Sequence, residues 1–191
     1  MCNRKLRVLV MVVTIIMFAS PTMFAAPIVR NAFSPPQGSS RLIRDVRHEL
    51  VTLPYYGVFD WLQFQVQPDN TVVLKGQVVR PATKSDAAAR VKDIDGVKTV
   101  VNEIQVLPLS PSDNRLRAAL YRTIYGANSP LFRYANQTVP PIHIIVANGR
   151  AALKGVVDSK GDAQLAYIRA RSVPGLFEVK NELEIESELP Q

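Results

Sequence analysis

The chain has 191 residues, 47% of them hydrophobic, a formal net charge of +7 and one cysteine. One or two domains fit that length, and the lone Cys2 excludes an intrachain disulfide and a thiolate metal site. Three basic residues, Arg4, Lys5 and Arg7, lie within the first seven positions; the remainder is about +4, too little for a nucleic-acid-binding stripe and no more than a mild preference for anionic surfaces.

Residues 1–26 read as a targeting segment. A basic start is followed by an apolar run over residues 8–18, a break at Ala19-Ser20-Pro21 and small residues at Ala25-Ala26. A cut after Ala26 places Phe24 and Pro27 at unfavourable positions, so an uncleaved anchor over residues 8–29 is the alternative to a signal peptide. Both readings export the folded part, because the basic residues hold the N-terminus inside. Residues 27–40, with Pro35, Pro36, Gly38, Ser39 and Ser40, have the composition of an extended linker.

Leu42, Val46 and Leu50 fall at helical spacing and predict a helix over residues 41–53, capped by Ser40 and ended by Pro54. Alternation through Phe59, Trp61, Phe64 and Val66 predicts a strand, a turn at Asp69-Asn70 and a return strand over residues 71–79. Pro81 suits the first position of a second helix, which buries Ala87, Val91 and Ile94. Gly96 ends that helix in the left-handed conformation glycine tolerates, and a last strand covers residues 97–106. Residues 108–112, with Pro108 and Pro111, form a linker expected to leave two units joined but not merged.

The same order then recurs. Asp113 is expected to cap a helix through Tyr125, with Leu116, Leu120 and Ile124 on one stripe and Gly126 as its stop. Strands over residues 142–146 and 151–157 flank Asn148-Gly149, a strong hairpin signal because both turn residues must accept positive φ. Ser159-x-x-Asp162 is a capping box for a helix burying Ala166, Ala170 and Val173. Gly175 ends it before a strand over residues 176–185.

The recurrence is literal. Shifting residues 74–106 by 79 places them on residues 153–185 without a gap, and ten of 33 positions are identical. Chance supplies about two at average residue usage. The segment over residues 128–141 is longer by roughly five residues than its counterpart and is the main asymmetry. The reading is therefore an α+β chain of two tandem domains, over residues 41–107 and 113–187. Each is helix–strand–strand–helix–strand, with two helices on a three-stranded mixed sheet.

Little in the chain points to catalysis. His48 and His143 belong to no metal-binding spacing, so neither metal nor cofactor is expected. His143 alternates off the apolar face of its strand. No nucleophile elbow or phosphate loop occurs, and Asp93 and Asp95 flank a helix end. Glu178, Glu182, Glu184, Glu186 and Glu188 fall on alternate positions and read as one solvated strand face. Gly76 and Gly155 lie inside strands and mark a close contact or a bulge. Asn102 and Asn181 read as backbone hydrogen-bonding residues.

One constellation is a candidate binding face. Arg115, Arg122 and Tyr125 lie opposite the Leu116/Leu120/Ile124 stripe, with Arg117 and Tyr121 beside them, and Arg133 stands among Leu131, Phe132 and Tyr134. Cations with interfacial aromatics suit anionic headgroups, at about 1 kcal/mol per cation. The competing reading is an ordinary exposed helix with Phe132 and Tyr134 in the core.

The combination V-x-L-x-G-x-V, a helix, then G-V-x-x-V-x-N-x-I-x-V resembles the BON domain, named for bacterial OsmY and nodulation proteins. It is read at residues 72–78 with 96–106 and again at residues 151–157 with 175–185, where Ala151 and Leu176 depart mildly. The layout is OsmY-like. The resemblance implies a non-catalytic periplasmic or envelope protein that associates with anionic phospholipid surfaces, in envelope or osmotic stress protection. A protein-interaction adaptor for an envelope partner is the alternative. Gly76, Gly96, Asn102, Gly155, Gly175 and Asn181 are its structural motif positions. Oligomeric state is left open.

Overall fold

A computed structural model describes residues 37–188, so the targeting segment at residues 1–26 and most of the linker at 27–40 lie outside the described residues. In unit one, α1 (Gln37–Val51) precedes β1 (Trp61–Val66), β2 (Thr71–Val78), α2 (Pro81–Lys92), β3 (Thr99–Asn102) and β4 (Gln105–Val106). In unit two, α3 (Pro111–Tyr125) precedes β5 (Ile142–Ala147), β6 (Arg150–Val157), α4 (Lys160–Arg171) and β7 (Glu178–Ile185). Each sheet is mixed. β1 runs antiparallel to β2 and β5 to β6, whereas β3, β4 and β7 run parallel to their neighbours. The α+β class and the tandem architecture are as expected.

The ten identities of the repeat explain why both units fold alike. Leu74 and Leu153, Val78 and Val157, and Ala87 and Ala166 are core residues with at most 1% exposure. Alanine on α2 and α4 lets each helix lie close to a narrow sheet. Asn102 Nδ2 donates to Lys84 O at 2.9 Å while its Oδ1 accepts from Ile104 N. Asn181 repeats the pattern with Ala163 O and Leu183 N. Each asparagine thus ties the last strand of its unit to the preceding helix. Lys75 pairs with Glu103 and Lys154 with Glu182 across the parallel strands. Arg90 reaches Glu49 on α1, and Arg169 reaches Thr123 O on α3. Gly96 and Gly175 take φ of 94° and 89°, the left-handed ends expected of them.

Gly76 and Gly155 have a sharper cause than a helix–sheet contact. Both have strongly positive φ, 127° and 120°, and a Cβ would stand 1.9 Å from Trp61 O or 1.8 Å from Pro141 O. The partner strand's leading carbonyl occupies the space a side chain would need. The pairing register runs without a skipped residue through Gly76 on the β1 side and through Gly155 on the β7 side, so neither marks a bulge there.

Several boundaries differ from expectation. α1 begins at Gln37, which places Ser40 inside the helix. α3 begins at Pro111, and Ser110 is its cap, accepting from Asp113 N at 3.1 Å. Proline at the first helical position has no N–H to lose. Asp113, freed from capping, is buried and accepts from Asn148 N and Gly149 N at 2.9 and 2.8 Å, fastening the second hairpin to α3. That hairpin has φ of 51° at Asn148 and 73° at Gly149, as a two-residue turn of the primed type demands. The last strand of unit one is interrupted at Glu103–Ile104, where Ile104 turns into the core.

The two units are also merged, contrary to the expectation of a simple linkage. The segment ahead of β1 lies along the outer edge of β5: Ile144 N donates to Val58 O at 2.7 Å. Val58 and Phe59 pack against the core of unit two. Behind them Asp60, buried, accepts from Gly57 N and Val79 N. His143 does alternate off the helix-facing side of its sheet, but it is 6% exposed, because Tyr56 and Trp61 cover it with ring centroids at 5.7 and 5.0 Å. Burial, chiefly, pushes its pKa below the ordinary histidine value.

Gly155→Ala is expected to destabilise the protein by roughly 2 kcal/mol or more, since positive φ and a backbone collision add. Gly161→Ala, with only Ser159 Oγ nearby at 3.6 Å, is expected to be neutral or slightly stabilising. Urea denaturation compares them. For His143 the unfolded state takes up a proton that the folded state resists. Its contribution is therefore intact above pH about 6.5 and declines as pH falls below it, by at most about 1.4 kcal/mol per unit. Denaturation midpoints between pH 7.5 and 5.5 should fall in the wild type and flatten in His143→Gln.

Candidate functional site

The candidate binding residues separate into two groups. Arg117, Tyr125 and Tyr134 are internal, with exposures of 3%, 3% and 4%, which corrects their assignment to a surface face. The reason is the backbone of β5. Its even residues point their polar groups away from β6, and α3 supplies partners. Tyr125 Oη donates to Ile142 O at 2.7 Å and accepts from Ile142 N at 3.0 Å. Arg117 donates to Val146 O at 2.6 Å and to Asn114 Oδ1. Burial pulls the pKa of the guanidinium below the ordinary arginine value, against the opposing pull of the Asp113 and Asp60 carboxylates. Burial likewise drives the Tyr125 pKa well above the ordinary tyrosine value.

Tyr134 belongs to the longer segment that distinguishes unit two. Ser129 caps a 3-10 helix over Pro130–Asn136, which drops Leu131 and Tyr134 into the core and leaves Phe132 44% exposed. Tyr134 Oη accepts from Asp158 N and donates to Asp162 Oδ2. Arg133 is exposed but committed: it meets Asp162 at 2.6 Å and Asp158 at 3.7 Å. Partial burial opposes ionisation of Asp162, yet hydrogen bonds from Ser159, Arg133 and Tyr134 hold its carboxyl below the usual range. The Ser159 hydroxyl both accepts from Asp162 N and donates to Asp162 Oδ2, so the expected cap is present with the carboxylate turned to the serine side chain.

Arg115, Tyr121, Arg122 and Phe132 also lie outside. No ion pair among the described residues involves Arg115 or Arg122. Beside them lies a hollow of about 450 Å³ lined by Val58, Phe59, Ala118, Tyr121, Arg122 and Pro140, among others. Tyr121 is held there against Phe59 at 6.2 Å between ring centroids. Chemically this is an apolar recess with one unpaired cation, Arg122, and a phenol at its rim, and Arg115 stands two helical turns away on the same helix. Sequence reasoning missed Val58 and Phe59 as its far wall, because it treated the units as separate.

Among the described residues no cluster of three His, Cys, Asp or Glu is placed to hold a metal, and no helix is long and apolar enough to cross a membrane. Arg117→Ala should cost about 2–3 kcal/mol, since it strands the Val146 carbonyl, whereas Arg122→Ala should stay within about 0.5 kcal/mol. Thermal or urea unfolding of the two variants distinguishes the internal cation from the exposed one.

Among solved structures, CdsD, a structural protein of the type III secretion system of Chlamydia trachomatis, aligns at 15% identity with a TM-score of 0.30, covering 79% of this chain and 93% of that one. A CdsD C-terminal domain aligns at 15% identity and a TM-score of 0.27, covering 78% and 98%. No curated protein matches the chain. The BON domain profile matches residues 44–108 and 127–187, the second match beginning just after α3. The chain therefore belongs to the BON domain family, with two copies in tandem.

Proposed function

We propose that this is a non-catalytic envelope protein that contacts anionic phospholipid surfaces through the exposed face of α3. The observation that carries the reading is the exposed cation Arg122 beside Tyr121 and the apolar hollow, with a second exposed cation, Arg115, on the same helix. Phe132 adds a second exposed aromatic ring on the same unit. A headgroup phosphate would meet the guanidinium groups while apolar rims rest at the interface, the arrangement expected of a peripheral membrane contact. BON family membership supports an envelope setting, as does the targeting pattern of residues 1–26. Arg117, Tyr125, Arg133 and Tyr134 act on this reading as supports for the face, not as contacts.

Two cations at about 1 kcal/mol each correspond to roughly a 30-fold contribution to partitioning. Co-sedimentation of the protein with vesicles should therefore show preference for anionic over neutral lipid and weakening at high salt. Arg115→Glu/Arg122→Glu should lower anionic-vesicle binding at least tenfold with unchanged unfolding midpoint. Equal pelleting with neutral and anionic vesicles would refute the reading.

A further inference from the structure

The two units treat the same edge in opposite ways. In unit two, the outward groups of β5 are met by Tyr125, Val58 and Arg117. Placing the α1 core stripe Leu42/Val46/Leu50 on Leu116/Leu120/Ile124 sets Ile43 in the place of Arg117 and Val51 in the place of Tyr125. Neither side chain can form a hydrogen bond, and they are 37% and 53% exposed. Gln67 N closes the first hairpin onto Thr71 O, so odd residues of β1 face β2 while Leu62, Phe64 and Val66 point their N–H groups outward. The Tyr56 hydroxyl lies beside the backbone of Leu62. Among the described residues nothing accepts from Phe64 N or Val66 N.

A groove of about 470 Å³ runs along this edge between α1 and β1. Ile43, Val51, Trp61, Phe64 and Val66 line it, with Arg47 as its one cation and no carboxylate. An unpaired strand edge next to apolar pockets is a template for strand addition. The molecule holds its own precedent: at the corresponding edge of β5, Val58 supplies the carbonyl, Phe59 the ring and Asp60 a carboxylate within electrostatic reach of Arg117 on α3.

We propose that the β1 edge of unit one is a docking site for an extended strand of a partner protein, apolar-aromatic in sequence and followed by an acidic residue that faces Arg47. The charge of the lining selects the acid, and the internal precedent selects the strand. This site is independent of the α3 face and of whatever that face binds.

The probe is a fluorescein-labelled peptide with the sequence of residues 55–60, Tyr-Tyr-Gly-Val-Phe-Asp, titrated into the full chain and followed by anisotropy. Saturable binding is expected. Ile43→Arg/Val51→Tyr, which gives unit one the caps of unit two, should weaken it at least tenfold. Val66→Pro, which removes one outward donor without breaking a sheet bond, should weaken it too. Arg115→Glu/Arg122→Glu should leave it unchanged. Absence of saturable binding, or equal binding by both groove variants, overturns the proposal. So does a sedimentation mass that rises with concentration in the wild type and stays monomeric in the capped variant, which would assign the edge to a second copy.

Discussion

A strand at the edge of a sheet carries backbone groups that must find partners or water, and in unit two that requirement organises everything around β5. The Val58 carbonyl on Ile144 N brings unit one against unit two. The Tyr125 hydroxyl serves both polar groups of Ile142, and Arg117 serves Val146 O. These contacts bury β5 on both faces and at its edge, which is why five of its six residues are fully enclosed. The burial of His143, the position of Phe59 and the hollow beside Tyr121 are consequences.

Repeated and unrepeated residues consequently have different work. The ten shared positions build the unit: a glycine admits the neighbouring carbonyl, an asparagine ties strand to helix, and an alanine brings helix to sheet. The differences fall on the outer side of the first helix of each unit and on the segment leading into its first strand. Unit two uses arginine and tyrosine there to close its edge, with Pro130–Asn136 sealing the core. Unit one has Ile43 and Val51 and stays open.

Most of the fold was legible because its determinants are local or repeated. Asn148-Gly149, Gly96, Gly175 and the alanine faces each have a short-range signature. Ser110 was missed as a cap because Asp113 is an equally good capping residue, and only the hairpin at Asn148 shows where its carboxylate goes. The candidate face was half legible. Helical spacing correctly places Arg115 and Arg122 on one side, but it cannot tell an arginine that meets water from one that meets the carbonyl of a distant strand, as Arg117 does across 29 residues. The open β1 edge was invisible for the same reason: it is defined by a contact present in one copy and missing from the other.

Residue-resolved amide hydrogen exchange on the free, full-length protein tests this asymmetry most directly. Local opening should leave outward amides of a covered edge tied to the global stability and those of an open edge near solvent rates. Ile142 and Ile144 should exchange at least roughly 100-fold more slowly than Phe64 and Val66, after correction for intrinsic rates. Equal protection at Phe64 and Ile144 would contradict it.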